Sequence, residues 1–405
     1  MSSSPVGRGD GVRVAADATT RAALRVVVLF GVVSLLADLT YEGARSITGP
    51  FLGLLGASGA VVGAVAGFGE FVGYALRLVS GWLADRTGRP WLLLAAGYAV
   101  NLLAVPLLAL AGRWETAAGL MVAERLGKAL RTPSRDAVLA RAAARLGTGW
   151  GFGLHEAMDQ IGALAGPLLV AAVVAASGSL RTAFAALLVP ALLALGALGV
   201  ARVGVGGDGE HPVAGAAHAG RLPRRFWLYL AATALLAAGF ADFPLVAFHL
   251  VREGVVGAPS VPLLYALAMG VDAGAALAFG RLFDRFGLGV LVGAVLCGAL
   301  ATPLLFLGGS WVVLAGVAVW GVAMGGVESV VRAAVAVLVP ATRRGAAYGI
   351  FGAVFGLAWF AGSAALGVLL DVSRLLLVVL SVAVQLAAVP VLVRVARPEP
   401  GGETA

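Results

Sequence analysis

The chain reads as an all-α membrane protein, with twelve transmembrane helices in two pseudo-symmetric six-helix bundles. Three observations predict this. Hydrophobic residues make up 60% and charged residues 12%, with a mean hydropathy of +0.97. A soluble domain holds about 45–50% apolar and about 25% charged residues. A charged loop, G-x-L-x-D-R-x-G, occurs twice, at Gly81–Gly88 and Gly280–Gly287. Arginines gather at alternate ends of the apolar runs.

A spanning helix needs about 20 apolar residues. Runs of that kind are expected at 24–46, 58–80, 90–112, 115–134, 150–177 and 180–203, then at 225–250, 259–281, 288–308, 311–338, 344–369 and 373–396. Residues 1–23 form a polar tail without the apolar core of a signal peptide, so span 1 itself must direct insertion. Segment 204–224 contains Gly206-Gly207-Asp208-Gly209-Glu210 and is the long polar interior stretch. It divides a first bundle, 24–203, from a second, 225–396, and 397–405 is a closing tail.

Orientation follows from where the cations fall. With the N-terminus in the cytoplasm, cytoplasmic segments carry twenty arginines, among them Arg86, Arg89, Arg131, Arg135, Arg224 and Arg344. External segments carry five: Arg45, Arg113, Arg181, Arg252 and Arg374. That asymmetry places both termini in the cytoplasm and requires an even number of spans. It also explains the net charge of +8 and the pI near 10.5 without a nucleic-acid partner. The single cysteine, Cys297, excludes a disulfide framework and a cysteine-based metal site. No cofactor is expected.

The repeat extends beyond the loop. Phe152-Gly153 and Gly166 in span 5 match Tyr348-Gly349 and Gly362 in span 11, and Arg135 matches Arg332. Internally duplicated halves with a site at their interface are a common build of secondary transporters. The loop Gly81-x-x-x-Asp85-Arg86-x-Gly88-Arg89, its copy Gly280-x-x-x-Asp284-Arg285-x-Gly287, the twelve spans and the central linker together resemble the major facilitator superfamily. The resemblance covers essentially the whole chain. It implies two rocking bundles around a central cavity, with both loops acting as a cytoplasmic latch. Asp85 and Asp284 would cap or pair with a neighbouring helix end, and Arg86 and Arg285 would bridge to acidic partners. Gly153-x8-Gly162-x3-Gly166-Pro167 resembles the family's antiporter motif, found mainly in exporters, although Val170 stands where that pattern has glycine. Physically, small residues at this spacing let span 5 pack closely. Span 4 resembles the family's helix-four motif, which places Arg125 where the family has an arginine linked to proton coupling; Ala129 replaces the usual glycine.

An ionised side chain inside a span costs about 2.5–3.5 kcal/mol on insertion scales, so each marks a candidate site. Asp38 and Glu42 lie one turn apart on one face of span 1. Two neighbouring carboxylates repel and favour proton uptake by one of them. Glu42 either shares this role or pairs with Arg45. In span 5, Glu156 and Asp159 join His155 on one face, with Asp159 deeper and Arg125 or Arg135 as its partner. Asp242 of span 7 falls near the position that corresponds to Glu42. Glu70 with Arg77 and Glu328 with Arg332 are expected to form structural pairs, Arg131 to reach the cytoplasmic surface, and Asp272 to be a further buried acid.

These readings favour a monomeric, multi-pass transporter of the cytoplasmic (inner) membrane working by proton-coupled efflux of a small amphipathic or drug-like molecule. Its partners would be that substrate, the proton and the lipid bilayer. Uptake or exchange of a small polar solute or ion is the alternative. An intramembrane enzyme would want a nucleophile elbow, a paired-histidine metal site or a phosphate-binding loop, and the sequence has none. A membrane sensor would want an appended soluble domain.

Overall fold

A computed structural model describes residues 8–87, 89–204, 222–340 and 343–397. Fourteen helices follow in order: α1 (Arg8–Leu54), α2 (Gly59–Thr87), α3 (Pro90–Leu107), α4 (Trp114–Leu146), α5 (Thr148–Ser177), α6 (Leu180–Ala186), α7 (Leu188–Gly204), α8 (Arg224–Gly239), α9 (Phe243–Arg252), α10 (Val261–Phe286), α11 (Leu291–Leu307), α12 (Ser310–Leu338), α13 (Arg344–Val372) and α14 (Arg374–Ala396). The described residues contain no strand. Among the described residues, ten helical segments are long and apolar enough to cross a membrane. One of these, Ala258–Leu307, holds two helices, α10 and α11, joined by a short 3₁₀ turn. The 33-residue α4 is not among the ten. In a bilayer every backbone polar group must be satisfied within the segment, which is why apolar chain of this kind becomes helix.

Local signals set several ends. Gly178 takes the left-handed conformation, φ +67°, and closes α5. The Ser179 side chain caps α6 and the Ser373 side chain caps α14. Gly287, at φ +67°, ends α10 after the second charged loop.

Three expected boundaries are corrected. Span 1 continues as α1 to Leu54, so Arg45 lies well inside the helix instead of at its external end. Span 4 continues as α4 to Leu146, so Arg135 lies within it instead of in a loop and Arg131 lies well short of its end. The cause is the same in both. A helix face turned toward a polar interior tolerates charge, and apolar windows stop short of it. Span 7 is broken. Phe240 and Asp242 are extended, the Asp242 carboxylate accepts a hydrogen bond from the Phe243 backbone N–H, and Pro244 sits in the first turn of α9. An acidic cap followed by proline is a helix start.

Within each half, glycines bring helices into backbone contact. A Cβ at Gly162 would collide with the Leu35 carbonyl, and one at Gly166 with the Leu39 carbonyl, so α5 lies directly on α1. In the second half, Gly362 of α13 lies in the same way on Ala238 of α8. The equivalent helices of the two repeats therefore pack alike.

The halves pack along α2 and α13, from Gly59 by Asp371 to Tyr74 by Gly352, and are drawn together at one end of the molecule. Gly49 of α1 abuts Pro244, Gly59 and Gly63 of α2 abut Gly367 and Ser363 of α13, and Gly270 of α10 approaches Leu164 of α5. Asp371 accepts hydrogen bonds from the backbone of Gly59 and Ala60 and from Arg252. This is the end at which α2 begins and α13 finishes, opposite the end at which α1 begins.

Candidate functional site

Between the halves lies a cavity of about 580 Å³. It reaches from Arg45 and Glu70, near the closed end, to Leu139, Gly153 and Arg332, near the end bearing the start of α1. Eight carboxylates, seven arginine or lysine side chains and His155 line it, so the space is strongly polar. Asp38, Glu42, Arg125, Glu156 and Asp159, all proposed from sequence, line this one cavity.

A chain of alternating charges forms its inner end. Asn101 donates to Glu124 at 2.7 Å, and Glu124 lies 3.4 Å from Arg125. Arg125 lies 3.3 Å from Glu70, Glu70 3.0 Å from Arg45, and Arg45 2.9 Å from Asp242. Arg45 therefore ties the first half to the second. Glu70 pairs with Arg45 and Arg125 and not with Arg77, which corrects the expectation from spacing. Arg77 lies over the Tyr74 ring instead. Glu42 does not pair with Arg45: it accepts a 2.5 Å hydrogen bond from the Tyr265 hydroxyl across the interface.

A second cluster lies nearer the other end. Asp159 is 3.8 Å from Arg135 and 3.5 Å from His155. His155 and Arg135 both hydrogen-bond Ser34 of α1. His155 is therefore buried rather than interfacial. Asp38 has only a 4.0 Å approach from Arg131. Arg131 does not reach the surface as expected. It is 1% exposed and lies over the Tyr98 ring at 4.4 Å. Lys128 rests over the Tyr41 ring at 3.8 Å. Glu156 is exposed, with Gln160 donating to it. No close ion pair forms between Glu328 and Arg332 among the described residues, although both line the cavity.

The four cations Arg125, Lys128, Arg131 and Arg135 share one face of α4 because they recur about every three residues. Tyr265, Ser34 and Asn101 have no local sequence signal. Their roles come from helices far away in the chain. No group of three or more His, Cys, Asp or Glu residues among the described ones forms a metal site.

The charged loops stand apart from the cavity. Arg86, Arg89, Asp284 and Arg285 are exposed. Arg86 lies over Trp82 and Arg285 over Phe286. Among the described residues no hydrogen bond or ion pair links these four to the opposite half. Gly81 touches Pro133 of α4, and Gly280 has open space around it. Gly88 and the side chain of Asp85 lie outside the described residues, as does most of the expected linker 204–224. In the helix-five motif, Gly162 and Gly166 make the contact with α1, Pro167 lies within the helix, and Gly153 meets nothing.

The Major Facilitator Superfamily profile matches residues 30–363. The chain is 44% identical over 384 residues to an uncharacterized protein of Mycobacterium tuberculosis, Rv2265, covering 93% of this chain and 94% of that one. An uncharacterized MFS-type transporter of Methanocaldococcus jannaschii is 30% identical over 143 residues, 35% of this chain and 36% of that one. Among solved structures, the nucleoside transporter NupG (D323A mutant) superposes with a TM-score of 0.74 at 14% identity, over 90% of this chain and 99% of that one. A POT family transporter in complex with 5-aminolevulinic acid gives 0.75 at 12% identity, over 91% and 95%. At such identities these structures establish the fold alone. With the profile spanning most of the sequence and the duplicated bundles meeting at a central cavity, the chain belongs to the Major Facilitator Superfamily.

Proposed function

We propose that this protein is a secondary active transporter of the cytoplasmic membrane. It spans the bilayer twelve times, with both termini in the cytoplasm, and carries a small polar solute by alternating access coupled to protons. The observation that supports this reading best is the cavity. It lies between two duplicated halves, is sealed at the end where Arg45 meets Asp242, and is lined by fifteen charged side chains. Such a lining favours a charged or polar solute over an amphipathic drug-like one, because burying apolar surface against unsatisfied charge is unfavourable. The small-residue motif of α5 has a packing role against α1 and needs no exporter to account for it.

The twelve spans comprise α1 to α5, α6 with α7, α8 with α9, and α10 to α14. In this conformation the cavity would face the cytoplasm, with the charged loops of the latch disengaged. Proton coupling rests on Asp38 and Asp159. Each is held by an arginine at 3.8–4.0 Å rather than by a tight pair. A carboxylate held this loosely changes protonation when a neighbouring cation moves or a substrate charge enters. Buried Arg131 and half-buried Arg135, which also pairs with Asp136 at 3.0 Å, are the cations that would set its proton affinity, in place of Arg125, which is engaged with Glu70 and Glu124.

The test is flux in proteoliposomes carrying an imposed pH gradient, with a panel of radiolabelled polar solutes and amphipathic cations. Gradient-driven movement of a polar solute, abolished by a protonophore, is expected, and its sign gives the direction. Movement of amphipathic cations alone would replace this reading with drug efflux. Absence of flux for the entire panel would overturn it.

A further inference from the structure

Two buried ionisable side chains of opposite charge line the same cavity without adequate partners. Arg131 on α4 is 1% exposed, yet its Nε and Nη1 atoms have no hydrogen-bond partner. Its closest carboxylate contact, Asp38, is 4.0 Å away. Lys128, one turn along, is held over the Tyr41 ring. On the other wall, Asp272 of α10 is 2% exposed, and its Oδ1 has no hydrogen-bond partner. Glu42, Glu156 and Glu328, all acidic, line the cavity with it. A buried group left in this state loses the partner that water would have supplied, so each is a place for a ligand atom of opposite charge.

The repeat sets the two poles against each other. Arg135 and Arg332 correspond at an offset of 197 residues, and the same offset takes Arg131 of α4 to Glu328 of α12. Halves related by duplication bring equivalent positions to similar depth on opposite walls. At Arg131 and Glu328 the equivalent positions carry opposite charges, whereas Arg135 and Arg332 carry the same one. The α4 wall of the cavity is thus mainly cationic, with Arg125, Lys128, Arg131 and Arg135 beside Asp136. The wall formed by α10 and α12 presents Asp272 and Glu328 beside Arg332.

We infer that the substrate is a small zwitterion whose anionic group seats at Arg131 and Lys128 and whose cationic amine seats at Asp272 and Glu328. This rests on the transporter reading above and narrows its substrate class. An arginine and a carboxylate on opposite walls read both ends of such a molecule. A solute with one charge leaves the other pole unpaired, and that penalty is the source of selectivity.

The experiment is binding to the purified full-length protein in detergent, by calorimetry and thermal shift. The probes are α-amino acids, ω-amino acids of increasing chain length and simple dipeptides. Each is compared with its N-acetyl form, which lacks the amine charge, and its amide, which lacks the carboxylate. At least one zwitterion should bind saturably, and either blocking group should weaken it at least about tenfold, the equivalent of about 1.4 kcal/mol. In Asp272→Asn, or in Glu328→Gln should the first fail to fold, the N-acetyl penalty should shrink while the amide penalty stays. Arg131→Gln, with Lys128→Gln as the second variant, should do the reverse. Binding of a singly charged form as tight as its parent, or no binding by any zwitterion, would overturn the proposal. A singly charged solute carried across vesicles with no zwitterion bound would sink this inference and leave the transporter standing. A zwitterion bound but never carried would do the opposite.

Discussion

Asp38 and Asp159 illustrate how single side chains divide the labour in this protein. Both line the cavity, and both look toward an arginine of α4 at a distance longer than a good ion pair. A tight buried pair would fix the proton state and cost several kcal/mol to open. The looser geometry leaves the carboxylate responsive. Asp38→Asn keeps the shape and removes titration. The variant is expected to reach the membrane folded and to exchange substrate at near wild-type rate. Its accumulation under an imposed pH gradient should fall to the level of protein-free vesicles. If the pH dependence of flux is unchanged, Asp159 carries the proton, and Asp159→Asn then shows the loss.

Helix packing explains a motif that would otherwise be read as a directional signature. Gly162 and Gly166 of α5 face carbonyl oxygens of α1 with no room for a side chain, whereas Gly153 of the same motif meets nothing within 4 Å. Association of helices in a bilayer relies on such close approach, because lipid tails are as apolar as side chains. Gly166→Leu should therefore overpack the α1–α5 seam, costing about 1–3 kcal/mol or more, and lower the melting temperature in detergent. Gly153→Ala should be neutral or stabilising by up to about 1 kcal/mol, since alanine favours helix. Equal losses at the two positions in a thermal melt would refute the packing account. The break between α8 and α9 belongs to the same level. It puts the Asp242 carboxylate, still capping α9, within reach of Arg45.

For the molecule as a whole, one end is closed by charge. Arg45 of the first half joins Asp242 of the second at 2.9 Å, and Arg252 joins Asp371 at 2.7 Å next to the α2 backbone. Opening that end must separate Arg45 from Asp242. Asp242→Asn is the informative change. Asparagine is as good a helix cap as aspartate, so α9 is kept while the ion pair is lost. The closed state should lose at least about 1.4 kcal/mol, a tenfold population change. The readout is labelling of Thr48→Cys, a buried α1 position whose side chain donates to the Arg45 carbonyl, in a Cys297→Ser background by an impermeant maleimide added outside intact cells. Labelling should speed up about tenfold in Asp242→Asn. An unchanged rate would mean that the Arg45–Asp242 pair is dispensable and that packing at Gly49 and Gly63 with the Asp371 bonds to α2 holds the end shut.

Much of this was legible in the chain. Apolar run length gives the spans, because the bilayer fixes how much helix is needed to cross it. The twofold loop and the Gly166–Gly362 correspondence give the duplicated halves. Asp38, Glu42, Arg125, Glu156 and Asp159 stand out as charges inside apolar helices, and the cost of burying them is a local property that needs no partner to be seen. Partners are a different matter. Glu70 with Arg77, and Glu42 with Arg45, satisfy helical spacing, yet Glu70 binds Arg45 and Arg125, and Glu42 binds Tyr265 from another helix. Arg131 reads as a helix-end cation and is instead buried beside Tyr98. Spacing states which residues share a face. Which face meets which is decided when non-adjacent helices pack, because a charge in a low-dielectric interior takes the partner that the whole assembly brings nearest, however distant in the chain.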